Sequence, residues 1–212
     1  KLATKVIMGH SLKELGFTKE VTPTYISCKE SVFPFNRFPG VDTILGPEMK
    51  STGEVMGIDS SFGLAFAKAQ LAAGQRLPLS GTVFISVKDS DKKHILHPAS
   101  IFSGMGFRIV ATYGTSLFLQ ENKIKAEKVN KVREGRPHIV DMIKNREIDL
   151  VINTTNNQKA ISESFSIRRS SLILGIPYTT TIAGARATAY AIKSMVEGRL
   201  DVKTLQEHHG FL

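Results

Sequence analysis

From Thr82 onward the chain alternates short β-branched runs with helical periodicities, and this alternation constrains the fold more than any other feature of the sequence. Thr82 to Val87 reads as a strand, Lys92 to Met105 as a helix, and Phe107 to Ala111 as a strand that ends in Thr112-Tyr113-Gly114-Thr115, with a helix starting at Thr115. Further strands are expected at Lys128 to Lys131, Asp149 to Asn153 and Tyr178 to Thr181, and helices at His138 to Asn145, Glu163 to Leu174 and Gly184 to Glu197. Parallel neighbours need crossover connections, so five strands alternating with helices imply a mainly parallel α/β sheet in a three-layer domain. About 135 residues suffice for such a domain and its core. Pro98, inside the first helical stretch, predicts a kink or a split there.

The earlier part reads differently. From Lys1 to Gly53, Pro23, Pro34, Pro39 and Pro47 break short apolar runs, and no self-contained core is apparent. A helix follows, capped by Asp59 and Ser60, carrying Phe62, Ala65, Phe66 and Ala69 at helical spacing and stopped by Gly74. A linker then places the domain boundary near residue 75, giving parts 1–74 and 75–212. The chain lacks an initiator Met and opens inside a helical run, Leu2 to Gly9, which suggests an excised fragment.

At 42% apolar and 22% charged residues, the composition excludes disordered, collagen-like and disulfide-scaffold classes. No apolar run is long enough to cross a bilayer, no signal peptide opens the chain, and the lone Cys28 suits a reducing compartment, so a cytoplasmic location is expected. Cys28 lacks a surrounding His and Asx constellation and reads as a small, partly buried apolar residue. The formal charge of +9 is uneven, about +2 up to Pro78 and +7 beyond it, which makes the second part the anion-binding candidate.

In open parallel sheets, strand carboxyl ends form the ligand crevice and helix N-termini present free N–H groups to anions. Two loops meet that description. In Thr112-Tyr113-Gly114-Thr115-Ser116, Gly114 lets the backbone fold closely around a phosphate while hydroxyls add donors; Asn153-Thr154-Thr155-Asn156-Asn157 directly follows an apolar strand. Either loop alone is as well explained by helix capping; two at corresponding strand ends of a basic domain favour a phosphate site. Lys131 would bring a point charge to the same edge, and Lys92 follows Ser86 at the start of the first helix. His138, in the basic loop Val132 to His138, reads as a helix-start or interface residue rather than a catalytic acid or base, because no paired carboxylate is evident.

Dinucleotide-binding, Walker A, nucleophile-elbow and zinc-ligand spacings are all missing. Neither catalytic nor metal-binding residues are assigned. With 8% aromatic residues, no Trp and no recognition motif, no nucleic-acid partner is expected, and no membrane partner either.

Two runs resemble a known family. Phe38-Pro-Gly-Val-Asp42 leading into Leu45-Gly-Pro-Glu-Met-Lys-Ser-Thr-Gly-Glu-Val-Met-Gly57 is similar to the end of the second ATP-grasp unit in the large subunit of carbamoyl phosphate synthetases. Asn130-Lys-Val-Arg-Glu-Gly-Arg-Pro-His-Ile139 and Asp149-Leu-Val-Ile-Asn-Thr-Thr155 resemble the methylglyoxal-synthase-like regulatory domain that follows it. The resemblance implies a closing ATP-grasp segment before residue 75 and, after it, an allosteric domain built on a five-stranded sheet. The parent enzyme would be a ligase making carbamoyl phosphate for arginine and pyrimidine synthesis, using ATP with Mg or Mn and K, and a glutaminase small subunit. The fragment itself, lacking the metal carboxylates and most of the ATP cradle, would need no cofactor and not be catalytic.

The resemblance further implies that nucleotide effectors, UMP as inhibitor and IMP as activator, contact Ser86, Lys92, Thr112, Gly114, Thr115, Lys131, Asn153, Thr154 and Thr155. An ornithine site would use Glu30, the backbone near Leu45, Tyr178 and Thr180, with its other ligands upstream of Lys1. Tyr113 stands where bacterial forms commonly have His. Two alternatives come with the same residues. A methylglyoxal synthase acting on dihydroxyacetone phosphate would need a carboxylate base, a role in which Glu134 or Asp141 can be imagined, and a module for homo-oligomer or partner-subunit contacts would use the basic domain as a docking face.

Overall fold

The computed structural model describes residues 1–35, 53–155 and 158–209, and for 158–163 and 209 the backbone alone. Its centre is a five-stranded, wholly parallel sheet made by β3 (Thr82–Ser86), β4 (Arg108–Thr112), β5 (Glu127–Val129), β6 (Leu150–Asn153) and β7 (Tyr178–Thr179) in the order β5-β4-β3-β6-β7. The α/β, three-layer class expected from the alternation is therefore the one observed. Side chains of a strand point alternately to its two faces, and the core follows that period. Val83, Ile85, Ile109, Ala111, Leu150 and Ile152 face one layer, whereas Phe84, Val110 and Val151 face the other.

The first face is covered by α3 (Lys92–Gly104) through Ile95, Ala99 and Phe102, by Leu119 of α4 (Tyr113–Glu121), and by α7 (Ile182–Glu197) through Ala185, Ala189 and Ile192. The second is covered by α5 (Ile139–Lys144) and α6 (Gln158–Leu174), which bring Ile139, Ile143 and Ile167 to it. The strand order reverses between β3 and β6, where Ser86 is in register with Asn153. That reversal opens a crevice at the strand carboxyl ends.

The first part holds α1 (Leu2–Ile7), whose residues are all exposed, and an antiparallel pair, β1 (Ile26–Val32) with β2 (Gly53–Asp59). The pair corrects the irregular reading of Lys1 to Gly53. Alternation along β1 turns Cys28, Glu30 and Val32 inward, and an inward-facing Glu breaks the apolar period by which a strand is recognised. On the pair lies α2 (Phe62–Ala72), so close that a Cβ at Gly57 would collide with the Ala65 carbonyl oxygen. Across its other side α2 packs on α7, and Ala67 joins the first core face.

Several boundaries move. The cap of α2 is Ser61, whose hydroxyl accepts from the Leu64 amide; Asp59 instead ends β2 and pairs with Lys68 at 2.7 Å. Helix α3 runs unbroken through Pro98, because burial of Ile95, Pro98, Ala99 and Phe102 holds both halves on the sheet. Helix α4 begins at Tyr113 rather than Thr115, so the Thr-Tyr-Gly-Thr loop is the helix's first turn. β5 ends at Val129, since Asn130 forms a parallel bridge with His138; Lys131 lies two residues beyond the strand. α5 starts at Ile139, with His138 as its cap. α6 starts earlier, at Gln158, while β7 ends at Thr179 and Thr181 caps α7. No described helix is long and apolar enough to cross a membrane. A last helix, α8 (Leu205–His209), reaches back to place His208 edge-on to Tyr25.

Candidate functional site

The crevice where the strand order reverses is a cavity of about 590 Å³. Six of the nine residues assigned to a nucleotide line it: Ser86, Thr112, Lys131, Asn153, Thr154 and Thr155. The remaining three stand behind its wall. Thr115, 2% exposed, has its hydroxyl 3.4 Å from the Thr112 hydroxyl, which in turn lies 3.1 Å from that of Ser86. Lys92 reaches over Gly114, where a Cβ would meet its ammonium at 3.4 Å, and pairs with Asp89 at 2.8 Å. Asn156 and Asn157 of the second loop lie outside the described residues.

Two local devices shape this wall. The amides of Val87 and Lys88, just past β3, donate to the hydroxyls of Thr115 and Thr154, at 3.4 and 3.2 Å, and so fix the loop that follows the strand. At the start of α4, by contrast, Thr112 offers the first turn no side-chain cap. Its leading N–H groups have no partner within the helix and face the strand ends where an anion would sit. Gly114, second in that turn, leaves the Lys92 ammonium room to approach the backbone.

Asn153 in this cavity is 3% exposed, and among the described residues its Nδ2 makes no hydrogen bond. A buried donor without an acceptor costs about 1–3 kcal/mol, a penalty that an acceptor brought by a ligand removes.

The cavity also contains cations that the sequence reading did not assign. Lys88 and Arg133 line it together with Lys131, while the acids among its described lining residues are Asp89 and Glu134. The Lys92 ammonium and, more weakly, Lys131 hold the Asp89 carboxyl below its usual range. Glu134 accepts a hydrogen bond from the Lys131 amide at 2.9 Å, which closes the turn carrying that lysine. Ser164, Ser166 and Ile167 of α6 complete the lining. Arg133 was visible as part of a basic loop; nothing in the sequence marked the α6 residues, since a polar stripe on a helix ordinarily faces water. Nor did it mark Arg168, which is 2% exposed and among the largest fully buried side chains.

His138 does not line the cavity. Its Nδ1 accepts from the Asp141 amide at 3.3 Å, and the Asp141 carboxylate accepts from the His138 amide at 3.0 Å, forming a capping box. The bond from the His138 amide, helped by the charges of Arg136 and Lys144, draws the Asp141 carboxyl below its usual range against the opposing effect of burial. Tyr113 is exposed, with the Lys128 ammonium 5.2 Å above its ring.

A second cavity, also about 590 Å³, brings together Glu30, Tyr178 and Thr180, assigned to ornithine, with Gln70 and Leu172 among its other walls. Leu45, the fourth of that set, lies outside the described residues. Tyr178 both lines this cavity and packs on the second core face. Burial pushes the Glu30 carboxyl up, and a 2.7 Å hydrogen bond from Gln70 opposes that shift in part. Among the described residues no three His, Cys, Asp or Glu side chains converge.

Residues 94–180 match the MGS-like domain family. Nearly the whole chain aligns with carbamoyl phosphate synthase large chains. It is 55% identical to that of Nostoc sp. over 98% of its own length and 19% of the relative's. It is 53% identical to that of Pseudomonas putida over 100% and 20%, and 49% identical to that of Archaeoglobus fulgidus over 99% and 20%. The chain thus spans about a fifth of the length of the curated relatives it matches. Among solved structures, a methylglyoxal synthase from Elizabethkingia anophelis aligns with a TM-score of 0.45 and 20% identity, over 57% of this chain and 84% of that one.

Proposed function

We propose that this chain, with its MGS-like domain and its near-full-length similarity to carbamoyl phosphate synthase large chains, is the effector-binding region of such a large chain. Residues 75–212 form the regulatory domain, and residues 1–74 close the synthetase unit whose ATP-dependent output it controls. A nucleotide monophosphate, UMP as inhibitor or IMP as activator, sits in the crevice at the strand carboxyl ends. Its phosphate lies against the Ser86 and Thr112 hydroxyls, which Thr115 backs, and Lys131, and its ribose or base meets Asn153 to Thr155.

The observation that carries this reading is the buried Asn153 Nδ2, left without an acceptor among the described residues in a cavity that Lys88, Lys131 and Arg133 make basic. Ornithine takes the second cavity, where Glu30 supplies a carboxylate. Helix α6 lines both, through Ser164, Ser166 and Ile167 on one side and Leu172 on the other, so a shift of this one element is felt at each. For a nucleotide to regulate, it must bind one arrangement of the large chain more tightly than another; a coupling of about 1–3 kcal/mol is ordinary.

The glutaminase small subunit, the remainder of the large chain and further copies of this chain are the protein partners, in the cytoplasm, and ATP with its metal ions is bound elsewhere in the large chain. A methylglyoxal synthase is not favoured. Glu134 is engaged by the Lys131 amide, and Asp141 by the His138 amide and, at 3.4 Å, by Arg136, so neither stands ready as a base.

Calorimetric titration with UMP and IMP tests the assignment. Saturable binding is expected, weakened on the order of tenfold or more in Lys131→Ala, which removes a charged phosphate partner. Absence of binding, or a Lys131→Ala variant indistinguishable from the parent, contradicts it.

A further inference from the structure

We propose that His138 and Asp141 are a positioning pair for the nucleotide crevice: the cap they form on α5 holds the loop that carries Lys131, so the grip on a phosphate depends on two side chains that do not line the cavity. This rests on the reading of the crevice as a phosphate site, and goes further by naming what fixes its lysine.

Lys131 is exposed and lies beyond the end of β5, so its position follows from its neighbours in the chain. Asn130, one residue before it, forms a parallel bridge with His138. The Ile139 amide donates to the Asn130 carbonyl at 3.1 Å, and Asn130 Nδ2 donates to the Pro137 carbonyl at 3.3 Å. The chain from Asn130 to His138 is therefore a loop closed at its base, with Lys131 just past the closure. Inside it the Glu134 amide donates back to the Lys131 carbonyl at 3.0 Å, and Val132 rests on the second core face. As placed, Lys131 helps to hold the Asp89 carboxyl, in the turn after β3, below its usual range, so the loop delivers its charge to the strand ends.

The base of the loop is also the start of α5. With six residues, this helix is too short to persist without support at its ends. His138 is 8% exposed, and its Nδ1 has Asp141 on it twice, the amide at 3.3 Å and Oδ2 at 3.1 Å. The same Oδ2 accepts from the His138 amide at 3.0 Å, while Oδ1 faces Arg136 of the loop at 3.4 Å. Asp141 thus grips the loop at two points. Without the cap the first turn frays, and the Ile139 amide that holds Asn130 is in that turn. Loss of the cap is in this way a displacement of Lys131.

Calorimetric titration of the 212-residue chain with UMP, with thermal midpoints recorded alongside, tests the proposal. His138→Ala is expected to weaken UMP at least about threefold, the order that loss of a helix N-cap allows. His138→Asn, which returns an acceptor to the cap position, is expected to stay within about twofold of the parent. In a Lys131→Ala background the His138→Ala change is expected to weaken UMP less than about 1.5-fold, because the group it positions is gone; this double-mutant cycle separates positioning from a general loss of stability. Should His138→Ala not fold, Asp141→Asn, which keeps the shape of the side chain without its charge, replaces it in the same cycle. An affinity unchanged by the cap variant, a His138→Asn no better than His138→Ala, or a cost that is equal with and without Lys131 overturns the proposal while the crevice stands. If the parent does not bind UMP, or binds it without regard to Lys131, the reading of the crevice falls and the proposal with it.

Discussion

The hydroxyls of Ser86 and Thr112 meet at 3.1 Å across the carboxyl ends of two neighbouring parallel strands. Thr112 continues the chain to Thr115, and Thr115 to the Val87 amide, so the floor of the crevice is aligned before any ligand arrives. Such preorganisation spares an anion the entropy of ordering its own partners.

Asn153 is where stability and binding are expected to part. Its Nδ2 is buried without a partner among the described residues, and an apolar side chain of similar shape removes that penalty. Asn153→Leu is expected to leave the thermal midpoint unchanged or raise it by a few degrees while lowering UMP affinity at least tenfold. Scanning calorimetry and titration of the one variant check both halves. A lowered midpoint with unaltered affinity would show that Asn153 serves the fold.

Helix α2 depends on close approach to α7. A Cβ on Gly63 would come within 2.7 Å of the Tyr190 carbonyl oxygen and would also press on Ser194. Gly63→Ala is therefore expected to destabilise the chain by about 1–3 kcal/mol through overpacking, a fall in midpoint of several degrees. A midpoint within about one degree of the parent would mean that the two helices have slack between them.

The Asp59 and Lys68 pair sets a pH dependence. Partial burial pushes the Asp59 carboxyl up, but the Lys68 ammonium, the Ser61 amide and the Ser60 hydroxyl outweigh it and hold the carboxyl below its usual range. A carboxyl depressed in the folded state contributes stability that is fully present above its unfolded value near 3.9 and is lost as pH falls through the lower folded value. Thermal midpoints followed from about pH 6 to pH 2 should fall less steeply below pH 4 in Asp59→Asn than in the parent. Parallel curves would remove the pair from the account.

Legibility in the sequence followed the range of the interactions. Val83, Ile85, Leu150 and Ile152 announce buried parallel strands by type alone, and the Thr112 and Asn153 loops follow because strand ends are fixed once strands are. β1 escaped because its pairing is long-range and Glu30 faces inward; that same Glu30 turns out to line a cavity, a local rule broken where a ligand site is proposed. Ser164, Ser166 and Gln70 reach their cavities only through helix packing, which no short window of sequence contains.

The most direct test is a crystal structure of the chain with UMP. The account predicts the phosphate in the crevice, its oxygens about 3 Å from the Lys131 ammonium and from a Ser86 or Thr112 hydroxyl, with an acceptor of the nucleotide on Asn153 Nδ2. A nucleotide bound elsewhere, or one whose phosphate points away from these groups, would contradict it.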